Sequence, residues 1–185
     1  MFELDSFAPA AAYVPSLPLD MGVEPTLLKA VVYGTDIGLK MTNAKLTPIG
    51  TSRITTSRHG ITVMVGLVGR HSGNMAINLS EAAALHLASG LLGTPFRTFD
   101  EDCIDAVMEL GNMVAGGIKS TLVDSLFDIE NISLPSVVIG RNYAMGYARG
   151  ISAVSVEFEL PEMPFSTMTA RYFSTTLSLL RTSGA

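Results

Sequence analysis

Ile104-Asp-Ala-Val-Met-Glu109-Leu-Gly-Asn112-Met-Val-Ala-Gly116-Gly-Ile-Lys119-Ser-Thr-Leu122 is the stretch on which the reading of this chain turns. At ~100° per residue, Asp105, Glu109, Asn112, Gly116 and Lys119 fall in one narrow stripe, while Ile104, Val107, Met108, Gly111, Val114, Ala115, Ile118 and Leu122 form an apolar face. The pattern predicts a helix that buries one side and shows the other. Such a stripe is ordinarily just a solvated surface. Two features set this one apart.

The first is glycine usage. Gly111, Gly116 and Gly117 each cost a helix interior about 1 kcal/mol relative to alanine, so something must offset them. Gly111 lies on the apolar face, where a missing side chain lets the helix backbone approach a sheet. Gly116 lies on the polar stripe one turn beyond Asn112, and its bare backbone leaves a depression that a partner's backbone or phosphate can enter. Gly117 reads as a packing or kink glycine.

The second is chemistry. A carboxamide has no useful pKa, but it can hold a water by donating and accepting hydrogen bonds, and phosphoryl transfer runs largely on such positioning. Asn112 is suited to that task. Glu109, one turn back, either anchors a cation from a partner protein or acts as general base to the same water, which requires it within ~3 Å directly or through one relay.

Asp105-x3-Glu109-x2-Asn112, followed after twenty-two residues by Pro135, resembles the signature of the CheC/CheX/FliY chemotaxis phosphatases, and Asn112-Met-Val-Ala-Gly-Gly-Ile-Lys119 is especially similar to the CheX branch. The resemblance extends over about residues 24 to 180, through Gly66-Leu-Val-Gly69, Gly73-Asn-Met-Ala-Ile-Asn-Leu-Ser-Glu-Ala-Ala83, Leu91-Leu-Gly93 and Pro135-Ser-Val-Val-Ile-Gly140. It implies hydrolysis of the aspartyl phosphate of a CheY-type response-regulator receiver domain. Glu109 would pair with the receiver's lysine, and Asn112 would insert toward the acyl phosphate and orient the in-line water. The receiver would bring Mg²⁺ and the phosphorylated aspartate, leaving this chain with no bound cofactor or metal. A carboxylate beside a phosphate is repulsive unless a cation stands near them, which agrees with that assignment. Asp105, Met113, Gly116 and Pro135 complete the expected partner-binding set. Other readings stay open for three of them: a helix-dipole role for Asp105, a core role for Met113, and a strand-opening role for Pro135. The alternative function is a non-catalytic receiver-binding or flagellar-switch-like interaction module.

Composition fits a partner-binding domain. Hydrophobic content of 48% with 16% charged residues is apolar for a monomer, and a dimer interface would account for it. The resemblance implies a homodimer joined through sheet edges, which also covers unpaired strands. A net charge of −5 with no basic cluster argues against nucleic-acid or anionic-membrane binding. One cysteine, no visible secretion signal and no apolar run near the ~20 residues needed to span a bilayer give a cytoplasmic expectation. His59, His71 and His86 lack metal-ligand spacing.

The expected fold class is α+β, a duplicated helix-plus-three-strand unit forming a largely antiparallel sheet with two long helices on one face. Residues 1 to 23 read as an N-terminal arm and 24 to 185 as a single domain. A helix is expected from Glu24 to about Met41, then strands near 47–57, 61–69 and 73–80, with His59-Gly60 as a turn candidate. A Ser80-capped helix follows over Glu81 to Leu92, stopped at Gly93 with Pro95 behind it. The Thr98-x-x-Glu101 capping box opens the motif helix, which runs to near Leu126, and strands near 130–140, 151–160 and 168–180 complete the chain. In the first half, Val32 and Thr35 stand near the spots of Glu109 and Asn112, so one active surface is expected per chain.

Overall fold

The computed structural model describes residues 22–53, 58–140, 143, 146, 149–164 and 169–180. Apart from Gly22 and Val23, the expected arm lies outside them, and Val23 already packs against the core. Helix α1 (Pro25–Leu39) begins with proline at its first position, where no N–H is required, and Glu24 accepts from the Thr26 N–H. It runs into a 3-10 turn, Lys40–Thr42. Helix α2 (Glu81–Leu92) has the expected bounds: Ser80 accepts from the Ala83 N–H, and Gly93 leaves the helix at φ 66°, a left-handed conformation that glycine adopts at little cost.

Helix α3 (Glu101–Leu122) is the motif helix. Its cap is not the expected box, because Asp100, not Thr98, accepts the Cys103 N–H at 3.1 Å, while the Thr98 hydroxyl donates to the other Asp100 carboxylate oxygen at 3.0 Å. These two bonds, the backbone one foremost, hold the Asp100 carboxyl below its usual range. The helix also stops at Leu122, short of Leu126. Val123 turns extended and Asp124 takes φ 61°, which redirects the chain without a glycine.

Among the described residues seven strands follow from the alternating segments: β1 (Thr47–Ser52), β2 (Ile61–Gly69), β3 (Gly73–Leu79), β4 (Ile129–Ile132), β5 (Ser136–Ile139), β6 (Ile151–Glu159) and β7 (Tyr172–Leu180). All pairings are antiparallel, in the order β1-β6-β7-β3-β2-β4, with β5 also on β2. The strand expected over 130–140 is thus two, because Ser133-Leu134-Pro135 breaks it: the Ser133 hydroxyl takes the Gly66 N–H at 2.8 Å, and proline has no N–H to continue the ladder. His59-Gly60 is a bend rather than a hairpin turn, since β1 and β2 are separated by three strands.

The order reads alike from either end when β1, β2 and β3 are exchanged for β4, β6 and β7, so the duplication is a pseudo-two-fold about the β3–β7 pair. Burial fixes the helix equivalence. Leu27, Ala30, Val31, Gly34, Thr35, Gly38 and Leu39 are buried, and each precedes a buried residue of α3 by 76 positions, as Leu27 does Cys103 and Gly38 does Val114. The counterparts of Glu109 and Asn112 are therefore Tyr33 and Asp36, not Val32 and Thr35. The expected alignment was off by one residue, a ~100° rotation on a helix. Neither pair in α1 supplies the acid and the amide.

Both long helices lie on one face of the sheet, with the core between. They meet backbone to backbone: a Cβ at Gly38 would lie 2.4 Å from Val114 Cα, and one at Gly117 2.3 Å from the Gly34 carbonyl oxygen. Gly117 is thus a packing glycine.

Candidate functional site

The apolar face of α3 fixes which side chains are shown. A Cβ at Gly111 would meet Val63 Cγ1 at 2.5 Å, so this turn of the helix rests directly on β2. Val107, Leu110, Val114 and Ile118 are fully buried around it. What remains outward is the stripe read from the sequence. Asp105 and Glu109 are exposed, and Asn112, Met113 and Gly116 are half-buried. The Asn112 Nδ2 donates to the Glu109 Oε2 at 3.4 Å, so the acid and the amide stand side by side at the surface.

That bond orients the carboxamide and leaves work for it. Among the described residues, Asn112 Oδ1 and the second Nδ2 proton have no protein partner, so one acceptor and one donor face outward together. One turn on, a Cβ built on Gly116 would meet no atom within 4 Å, which makes the expected depression real open space. Met113 lies at the margin; its backbone carbonyl carbon is 2.8 Å from where a Gly38 Cβ would sit, so α1 sets the height of this turn.

Pro135 enters from the sheet edge. It precedes Ser136, which pairs with Met64, and the neighbouring Val63 underlies Gly111. The proline therefore stands at the edge of the sheet near the level of the Gly111–Asn112 turn. It is half-buried and stands just before β5, but that strand is mostly exposed and not the buried strand its strand-opening reading assumes.

Lys119 differs in role from the rest of the stripe. Its Nζ donates to the Glu130 carbonyl oxygen at 2.6 Å, tying the far end of α3 to β4. Periodicity placed it on the right face, but a bond to a backbone carbonyl of a later strand leaves no trace in sequence. The charges along the stripe are consequently ordered. Glu101, Asp102, Asp105 and Glu109 crowd the first half, Asn112 and Gly116 are neutral, and Lys119 closes it.

Beneath the helix start, Cys103 is fully buried, and its thiol is pushed up to about 11 by burial first and then by the Asp100 and Glu81 carboxylates. It is structural. His71 meets the Leu180 carbonyl, and His86 lies 3.3 Å from Glu162 on the α2 surface. Among the described residues no three His, Cys, Asp or Glu side chains converge as metal ligands.

Comparison with known proteins places this surface in context. The family profile described as "Chemotaxis phosphatase CheX" matches residues 61–159, which include all of α3. A curated relative, the CheY-P phosphatase CheX of Thermotoga maritima, is 30% identical over 109 residues, 58% of this chain and 66% of the relative, so the match spans just under two thirds of its length. Among solved structures, chemotaxis protein CheX from Vibrio vulnificus is 25% identical with a TM-score of 0.64, covering 83% of this chain and 97% of that one. A CheC-like superfamily protein from Shewanella sp. PV-4 aligns with a TM-score of 0.70 at 21% identity, over 86% and 100% of the two chains. The CheX of a CheX-CheY-BeF3-Mg²⁺ complex from Borrelia burgdorferi aligns with a TM-score of 0.62 at 24% identity, over 85% and 96%. The fold of this chain is that of the CheC- and CheX-like proteins.

Proposed function

This chain belongs to the CheX chemotaxis phosphatase family, and from that premise we propose that it hydrolyses the aspartyl phosphate of a CheY-type receiver domain through Asn112 and Glu109. The observation that carries the reading is the acid–amide pair at the surface, exposed Glu109 and half-buried Asn112 joined at 3.4 Å on a helix whose backbone is pinned by Gly111. The Borrelia relative was solved with CheY, BeF3 and Mg²⁺, and the reading likewise assigns the Mg²⁺ to the receiver.

The chemistry asks little of this chain beyond position. Asn112 Oδ1 accepts from a water and Nδ2 donates to it, holding the water's lone pair toward phosphorus. A bond forms from water oxygen to phosphorus, the phosphorus–oxygen bond to the aspartyl carboxyl breaks to leave a carboxylate, and both water protons leave with the phosphate as dihydrogen phosphate, which then equilibrates with solvent. Glu109 pairs with the receiver's lysine, which screens its charge from the phosphate and sets the register of the encounter. Its place at the surface suits a docking group better than a buried base. Gly116 gives the phosphoryl group and its backbone room to approach.

The remaining roles follow from position. Asp105, Met113 and Pro135 flank the contact as partner-binding residues. The domain is read as 24–185 with an arm before it, and the dimer as formed through a sheet edge. At the β4 edge Lys119 already occupies the Glu130 carbonyl, whereas the β1 edge offers Ile49, 47% exposed. No helix among the described residues is long and apolar enough to cross a membrane, and a cytoplasmic location follows from the receiver partner.

The test charges a receiver with a small phosphodonor and follows phosphate release. Wild type is expected to accelerate it. Asn112→Ala is expected to abolish that acceleration, since the water loses the group that orients it, and Glu109→Ala chiefly raises KM. A protein that binds the receiver and slows its dephosphorylation would instead be the non-catalytic module.

A further inference from the structure

One cleft touches the site without belonging to the acid–amide pair. It lies between the last turn of α2, the 93–96 segment and the first half of α3, and encloses about 540 Å³. Its apolar wall is Leu91, Leu92, Phe96 and Ala106; its opposite rim carries Asp102, Asp105 and Glu109. Leu92 is 55% exposed because Gly93 ends the helix beneath it in the left-handed conformation, so the chain turns away and leaves the side chain uncovered.

We infer that this cleft is a specificity pocket for the receiver, taking an apolar side chain that the receiver carries on a basic surface beside the cation that pairs with Glu109. The inference rests on the phosphatase reading and extends it. Three observations choose the occupant. Glu109 both lines the cleft and bonds Asn112, so the pocket is continuous with the proposed reaction surface and one helical turn from it. Among the described residues its rim carries three carboxylates and no cation, which selects a positive partner surface and repels an acidic one. The C-terminal end of α2 supplies Leu91 and Leu92 to the same space, and the negative end of a helix dipole adds to the potential there. A receiver lowered onto α3 therefore sets its basic, apolar-studded side over Leu92 and Asp105 and its phosphate over Asn112 and Gly116. Leu92 and Asp105, which do not act on phosphorus, then decide which receivers are accepted.

The experiment separates pocket from chemistry by titrating a receiver charged with beryllofluoride, which cannot turn over, against wild type, Leu92→Ser, Asp105→Asn and, as a control past the far end of α3, Leu126→Ser. Leu92→Ser is expected to raise Kd about tenfold, the order expected for an apolar side chain of this size. Asp105→Asn raises it severalfold, by a factor that shrinks with added salt, and Leu126→Ser leaves it unchanged. In the release assay the saturating rate of Leu92→Ser equals that of wild type. Unchanged Kd for both cleft variants overturns the pocket, as does a wild type that binds no charged receiver. A shifted Kd without acceleration by wild type would sink the phosphatase reading and leave the pocket standing.

Discussion

Replacing Gly116 by alanine adds one methyl group at a place where the free protein has room for it and the proposed complex does not. The structure gives the two halves opposite signs. The added Cβ meets no atom within 4 Å, so the helix gains the propensity difference of about 1 kcal/mol. For a chain of this size that raises Tm by about 2–4 °C. In the complex the same methyl intrudes where phosphate and backbone approach. Overpacking of this kind costs about 1–3 kcal/mol, which is roughly 5- to 150-fold in kcat/KM. Calorimetry and the phosphate-release assay on one preparation read both numbers. Gly38→Ala is the paired control: its Cβ would strike Val114 Cα at 2.4 Å and N at 2.6 Å, backbone atoms that cannot rotate away, so α1 and α3 must separate and Tm falls despite the better propensity. A more stable Gly116→Ala that turns over like wild type would refute the idea that bare backbone at this position serves the encounter.

Two further perturbations test the framework. Thr35 is fully buried in α1 and its hydroxyl has no hydrogen-bond partner among the described residues, so Thr35→Val, nearly isosteric and similar in helix propensity, removes a cost of about 1–3 kcal/mol and raises Tm with the phosphate-release rate unchanged. Cys103, with its thiol near 11 and no exposed surface, is thiolate in about one molecule in 10⁴ at pH 7; a disulfide reagent should label it only at the rate of unfolding, and fast labelling of native protein would show the first turn of α3 to be open.

Much of this was legible in the sequence where local chemistry is decisive. Ser80 and Gly93 bracket α2, and Gly111 on a periodic apolar face foretold a close approach to a sheet, which the structure makes against Val63 of β2. Legibility failed where a distant partner decides. Strand alternation cannot say that β1 pairs with β6 rather than β2, because the choice depends on loop crossings and not on facing residues. The break at Ser133-Leu134-Pro135 needs the Gly66 backbone to be seen. Asp100 displaced Thr98 as cap because its carboxylate accepts the Cys103 N–H with Thr98 supporting it, a rivalry between neighbouring caps that pattern alone does not resolve. The helix equivalence slipped by one residue because α1 lacks the acid and amide that would have anchored it. The stripe itself was readable, since 3.6-residue periodicity sufficed to put Glu109, Asn112 and Gly116 on one face. The Leu92 cleft was not, since it is built from two helices and the segment between them.

The central claim is that Asn112 acts on the water and not on the encounter. It is tested most directly by mixing a phosphorylated receiver with saturating Asn112→Ala protein, once that variant has been shown to bind the beryllofluoride-charged receiver as tightly as wild type. The expected result is decay at the receiver's own rate, as if nothing had been added. Decay as fast as with wild type would contradict the claim.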